Sequence, residues 1–435
     1  MYLTHLIEKI VILFVDSESA RAFCIIIYLL KTLKMSKCLL NKERRRYPVL
    51  NIFKFLEDPR YPSVGPHLRL LSITGLWHHN LNTKTAKFKK YLFYFTIVFF
   101  FSQYLKCLIK LNVSYLTLIL QYAPFHMGIV KSCFFQKDHK KWENIIHYIS
   151  SIELKQIADG DEKINEIINE YLSRSRKVSY FFWAMALFSN FLIFSEPYQK
   201  NQIGVNGTNV YIKIFDGYTP FGDEPRGYYL SMFIQTVLGY IVSAYVVGWD
   251  TLICTIMIFF AGQLRVTRLL STRVINLHNV EQNHANIAEC HRFHTTLVKN
   301  QKLFNDLISP AMFVYLIVIS VNLGVCIIKI AQLKNELASL ISGCLFVIAC
   351  LIQLLLFYWH SNEVTEESVL VSYGTFESNW FEVVNKHQRE VMLLGISTRE
   401  RLVFKAGPFN EMSLKTFIAI IRTSYSLYTL LNKSN

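Results

Sequence analysis

Seven apolar stretches, each long enough to cross a bilayer, divide this chain into loops whose charge alternates. A hydrocarbon core of about 30 Å takes roughly 20 helical residues. The stretches that meet this length are Tyr91–Leu111, Tyr115–Phe135, Tyr180–Pro197, Tyr229–Ala261, Ala311–Ile330, Leu337–Trp359 and Met412–Leu431. With 52% hydrophobic and 14% aromatic residues and a mean hydropathy of +0.27, the chain is too apolar for a soluble protein of its size. The expected fold class is all-α: a polytopic membrane protein with seven transmembrane helices. An odd number of spans puts the termini on opposite faces.

The loop charges orient those spans. Regions 35–90, 136–178, 262–308 and 361–409 hold 31 Lys and Arg, whereas the alternate regions 110–112, 197–228, 329–336 and 432–435 hold 7. By the positive-inside rule the amino terminus is cytoplasmic and the carboxyl terminus extracellular. The three Asn-x-Ser/Thr sequons, at Asn112, Asn206 and Asn432, all fall on the outer side. Asn206 alone stands well clear of the membrane and is the expected glycosylation site.

The net charge of +15 is spread over four loops that share one face, which fits membrane lipid and not nucleic acid as the partner. The nine cysteines form no CxxC motif or disulfide framework, so no metal and no cofactor is expected.

Residues 1–34 carry two apolar runs, Ile10–Val15 and Ala22–Leu30, split by Asp16-Ser17-Glu18-Ser19. Each is too short to span, and neither has the anatomy of a signal peptide. This extension is expected to be dispensable, with a cytoplasmic segment over 35–90 and the seven-helix domain over 91–431.

Three inner loops are 43, 47 and 49 residues long, so most extramembrane mass is expected inside, as long cytoplasmic helical extensions. Trp142, Ile145, Ile146 and Ile149 repeat at three-and-four spacing, as do Ile164, Ile167, Ile168, Tyr171 and Leu172. The fourth stretch has 33 residues, roughly 50 Å if helical. It is expected to be one helix projecting inward, unbroken at Gly239 and Gly248, with Asp250 near the inner boundary.

At the carboxyl end, Lys405-Ala406-Gly407-Pro408-Phe409, Met412-Ser413-Leu414, Thr416-Phe417 and Ser424-Tyr425-Ser426 with Thr429-Leu430-Leu431 resemble the last span of insect odorant receptors. Tyr358-Trp359-His360-Ser361-Asn362-Glu363-Val364, Arg69-Leu70-Leu71 and Gly75-Leu76-Trp77 support the resemblance, and Pro59–Pro66 looks like moth and butterfly members.

The resemblance implies a ligand-gated cation channel, a hetero-tetramer with an odorant co-receptor subunit, in the plasma membrane of a sensory neuron dendrite. Its ligand would be a small volatile molecule. The co-receptor has a longer loop between spans four and five, so the 47 residues of 262–308 indicate the ligand-tuning subunit.

The rival readings are weaker. A gustatory-type channel shares the topology, but only Ser424-Tyr425 matches its carboxyl-terminal pattern. A G-protein-coupled receptor needs the opposite orientation. A membrane enzyme would have to use His278, His284, His291 and His294, whose spacing lacks the repeated boxes of di-iron enzymes and suits a solvated or subunit-contacting face better. No catalysis is expected.

A volatile ligand needs an apolar pocket with few polar groups. Aromatic, aliphatic and hydroxyl residues near the outer ends of spans two to four supply candidates: Tyr115, Leu118, Phe188, Phe191, Phe194, Tyr229, Phe233 and Thr236. By resemblance, the last span lines the pore, where Ile421, Ser424, Tyr425 and Tyr428 share a stripe. Arg422 stands among apolar neighbours and requires a partner or a watery surface, with Glu196 or Asp250 as possible carboxylates.

Overall fold

The computed structural model describes residues 54–78, 83–109, 123–200, 213–215, 225–332 and 337–433. Its helices are α1 (Gly65–Ile73), α2 (Lys84–Ile109), α3 (Ala123–Lys137), α4 (His139–Asp159), α5 (Glu162–Lys200), α6 (Pro225–Thr272), α7 (Asn283–Gln332), α8 (Leu337–Phe376), α9 (Asn385–Ser397) and α10 (Leu414–Lys433). A two-residue hairpin, β1 (Lys405–Ala406) with antiparallel β2 (Asn410–Glu411), precedes α10. Among the described residues, four helices are long and apolar enough to cross a membrane, covering the third to sixth stretches. Helices α2, α3 and α10 occupy the described parts of the other three. Residues 1–53 lie outside the described residues.

Helix α6 organises the bundle. It is 48 residues long, about 70 Å at 1.5 Å per residue, and uninterrupted at Gly239 and Gly248. Every residue from Val247 to Leu264 is buried. A helix apolar on all sides is stable only when surrounded, and α1, α3, α5, α7 and α8 all pack against it. Gly239 permits a close approach: a Cβ there would stand 2.6 Å from Phe194 Cζ on α5.

Helices α5 to α8 run 39, 48, 50 and 40 residues, far beyond what a bilayer needs. Their excess lies in the basic loops of the sequence and is continuous helix, as the spacing at 164–172 predicted for α5. Helix α4 buries Trp142, Ile145, Ile146 and Ile149. Charges in this layer pair across helices: Arg265 meets Glu170, Glu363 and Glu367, Arg174 meets Glu363, and Lys302 meets Glu400. His284 and His291, weighed above as metal ligands, bond to Glu390 and Ser397 at the α9 boundary.

The segment before the first span is pinned to this layer. Arg176 on α5 holds Glu57 with two bonds of 2.7 Å and donates to Ser63 O at 2.6 Å. Ser63 N–H donates to Glu153 Oε2 at 3.1 Å, and the Tyr171 hydroxyl to Glu153 Oε1 at 2.9 Å. Burial raises the Glu153 carboxyl to about 7, against the lowering effect of these donors. His67 Nε2 meets Ser179 Oγ at 2.9 Å, and burial holds that ring neutral, with its pKa lowered to about 3.

Candidate functional site

An aromatic cluster sits where α2, α3, α5 and α6 meet. Phe194 is buried on α5, with ring centroids 5.8 Å from Phe125, 6.4 Å from Phe215 and 5.1 Å from Tyr240. Phe100 on α2 closes it, 5.3 Å from Phe215. These pairs are edge-to-face or tilted, the arrangement the ring quadrupole favours. Gln235, fully buried on α6, clamps the Phe215 backbone: Phe215 N–H donates to Oε1 at 3.2 Å and Nε2 donates to Phe215 O at 3.0 Å. One turn before Phe194 on α5, Asn190 Nδ2 donates to Ser243 Oγ on α6. The result is an apolar site with a few fixed polar groups.

About 9 Å further along α3 lies a polar clasp. Lys131 Nζ is 2.7 Å from Asp250 Oδ1 on α6, and Gln353 Nε2 on α8 donates to Asp250 Oδ2. The ammonium also faces three rings, 4.0 Å from the Tyr315 centroid, 5.1 Å from Trp249 and 5.4 Å from Phe357. A charge this shielded is tolerable only when paired and caged. Tyr315 Oη and Trp249 Nε1 are buried without a hydrogen-bond partner, leaving two donors for a water or a ligand oxygen.

Of the residues singled out from sequence, Phe194 enters the cluster. Thr236 is half-buried, its hydroxyl 3.3 Å from Tyr198 Oη and donating to Met232 O at 2.8 Å. Phe188, Phe191, Tyr229 and Phe233 are 58–65% exposed and point away from the bundle. Tyr115, Leu118 and Asn206, and the side chains of Tyr425 and Tyr428, lie outside the described residues. Ser424 is buried and donates to Ser320 O on α7 at 3.2 Å, and Ile421 packs half-buried against the core. Arg422 is exposed, and the Asp250 carboxylate weighed as its partner is taken by Lys131 and Gln353.

The clasp itself was the larger omission. Its signal was a lysine inside the second apolar stretch and an aspartate inside the fourth, two ionisable groups of opposite sign at membrane depth.

Comparison with known proteins agrees with this architecture. The 7tm odorant receptor family profile matches residues 113–425. Odorant receptor 10 of Aedes albopictus is 22% identical over 311 residues, 70% of this chain and 80% of its own length. Odorant receptor Or2 of Anopheles gambiae is 24% identical over 170 residues, 39% of this chain and 44% of its own length. The olfactory receptor OR5 of Machilis hrabei in complex with eugenol superposes with a TM-score of 0.74 at 11% identity, covering 86% of this chain and 98% of that structure.

These proteins are multi-pass membrane receptors and not enzymes. This chain belongs to the insect odorant receptor family, as its carboxyl-terminal residues suggested.

Proposed function

We propose that the chain is the ligand-tuning subunit of a heteromeric odorant-gated cation channel, and that it binds a small, mostly apolar volatile at the Phe194 cluster. One observation carries this reading. A buried aromatic cluster joins four helices, with a small set of polar groups beside it that includes Gln235, Asn190, Ser243 and His126 and, further along α3, the Lys131 clasp. Such a site accepts a small apolar molecule and orients it by one or two hydrogen bonds. The OR5 complex, whose ligand is eugenol, supports a ligand of this size and character.

The exposed Phe188, Phe191, Tyr229 and Phe233 then face lipid or the approach to the site. Ile421, Tyr425 and Tyr428 are the proposed pore-facing set on α10, with Ser424 turned to α7 as the contact that moves with it. Ligand binding opens the pore only by the difference in affinity between closed and open states.

Subunits are expected to meet at the basic end, where Phe376, Phe381, Leu393 and Ile396 leave α8, α9 and their connection exposed and apolar. The basic face is cytoplasmic in this reading, the complex lies in the plasma membrane of a sensory dendrite, and Asn206 carries a glycan.

The test is whole-cell current during a volatile panel, with this chain expressed alone and with an insect odorant co-receptor, G-protein signalling being blocked. Fast cation current that needs both subunits is the expected result. Current from this chain alone would instead assign it to the self-sufficient gustatory kind.

A further inference from the structure

Residues 59–137 contain no Asp or Glu and ten Lys and Arg. Four of these, Lys84, Lys87, Lys89 and Lys90, crowd the first two turns of α2, whose first turn has no acidic residue. That is the wrong sign for a helix start, where the partial positive charge favours carboxylates. Helix stability therefore does not account for them.

The fold brings more cations to the same place. Trp77 stacks on His139 at 4.9 Å and packs on Phe135, and Gln136 Nε2 donates to Leu76 O at 2.5 Å. Lys89 Nζ donates to Ser72 O at 2.5 Å. These contacts hold the start of α2 beside the α3–α4 corner, which adds Lys137 and Lys140.

Lys84, Lys87, Lys90, Lys137 and Lys140 are all exposed. None of the five has an ion-pair partner among the described residues, whereas Lys141 is paired with Asp138 at 2.9 Å. Glu143 also stands near the corner, acting on His139. Within the patch, His78 Nε2 and His139 Nε2 are buried with no hydrogen-bond partner. His78 is only 9% exposed, and Lys89, Lys90 and His139 all act on its charge.

Phe88, Tyr91 and Tyr94 stand exposed on the next turns of α2, with Lys90 Nζ 5.9 Å from the Tyr94 ring. Aromatics at that level mark the boundary between headgroups and acyl chains.

We propose that this patch is a binding site for the headgroup of an anionic phospholipid bearing more than one phosphate, in the leaflet at the basic end of the spans. The proposal rests on the membrane orientation given under Proposed function. Five unpaired ammonium groups on two converging elements exceed what a singly charged headgroup engages, whereas a polyphosphorylated headgroup offers each an oxygen. The acyl chains then follow the exposed aromatic face of α2. Clusters of basic residues beside a span bind such lipids through the summed attraction of each charge.

The full chain, purified and placed in phosphatidylcholine nanodiscs with and without phosphatidylinositol bisphosphate, tests this by the lipid retained and its salt dependence. The substitutions Lys84→Gln, Lys87→Gln and Lys90→Gln together are expected to lower retention on the order of a hundredfold. A charge-matched control, Lys155→Gln, Lys163→Gln and Lys299→Gln, removes as much charge from exposed positions elsewhere and is expected to leave retention unchanged. Lys137→Gln with Lys140→Gln approaches the site from its other edge and should also lower it, with unfolding temperature showing that each variant is folded.

Equal loss in the control would reduce the effect to bulk charge, and full retention in both patch variants would overturn the site. Odorant-evoked current in the unsubstituted chain reports separately on the receptor reading, so the two can fail independently.

Discussion

Lys131 Nζ lies 2.7 Å from Asp250 Oδ1 with both side chains almost wholly shielded, tying α3 to α6 in the interior of the bundle. Gln353 extends the tie to α8, and the Tyr315 ring on α7 covers the ammonium. Four helices thus meet at a single ion pair, and relative movement among them has to carry the pair along or break it.

Removing one partner strands the other charge in an apolar interior. Lys131→Met is expected to cost about 3–5 kcal/mol, whereas Lys131→Met with Asp250→Leu should recover most of that loss, because a packed apolar pair avoids the desolvation cost. Surface yield and thermal unfolding of the detergent-solubilised receptor measure both. A double variant as unstable as the single one would show that the ion pair is not the energetic unit.

Glu153 gives a pH signature. Its carboxyl titrates near 7 in the fold against 4.5 as a free side chain. Between those values the folded state binds the extra proton, so stability falls as pH rises through this window and is flat above it. Below 4.5 both states are protonated and this contribution is again constant. Glu153→Gln removes the titration and should flatten the dependence of unfolding temperature on pH across the window. A slope unchanged by the substitution would place its origin elsewhere.

The sequence made the helices legible because span length and the period of α4 and α5 are properties of the chain alone. The length of the inner loops likewise pointed to the long helical extensions that now carry the Arg265–Glu363–Glu367 network. The carboxyl-terminal motif has a physical basis visible only in three dimensions. Gly407 turns the hairpin with φ +74 and donates to Ser309 Oγ at 2.9 Å, and a Cβ there would meet Phe313 at 2.5 Å.

The site was less legible. Aromatic spacing on α5 and α6 does not say which side of a helix faces the bundle, so Phe194 and Phe191 read alike, yet one is buried and the other exposed. The pairing of Lys131 with Asp250 spans 119 positions, and no local pattern encodes it.

Leu393 and Ile396 are 65% and 71% exposed on α9, an apolar face that an isolated soluble surface rarely presents. Leu393→Glu with Ile396→Glu is expected to leave this chain folded, since neither side chain packs into the core, and to abolish co-purification with the co-receptor. Retained co-purification and retained current would move the subunit contact to another surface.

Gly239 and Phe194 set the dimensions of the proposed ligand site. A methyl group at 239 would stand 2.6 Å from Phe194 Cζ, closer than any real contact, so the ring must tilt into the space it shares with Phe125 and Phe215. Overpacking of this kind costs about 1–3 kcal/mol, small enough for the receptor to reach the surface. Gly239→Ala should therefore keep surface expression within about twofold while shifting potency by roughly tenfold or more for the bulkier ligands of a graded series, a change of about 1.4 kcal/mol in binding. Adding Phe194→Leu shortens the side chain and returns the space, so the double variant should recover potency for large ligands and weaken it for small ones. Dose–response curves for the series decide the matter: parallel shifts for every ligand, whatever its size, would show that Gly239 acts on gating, and unchanged curves would place the ligand away from Phe194.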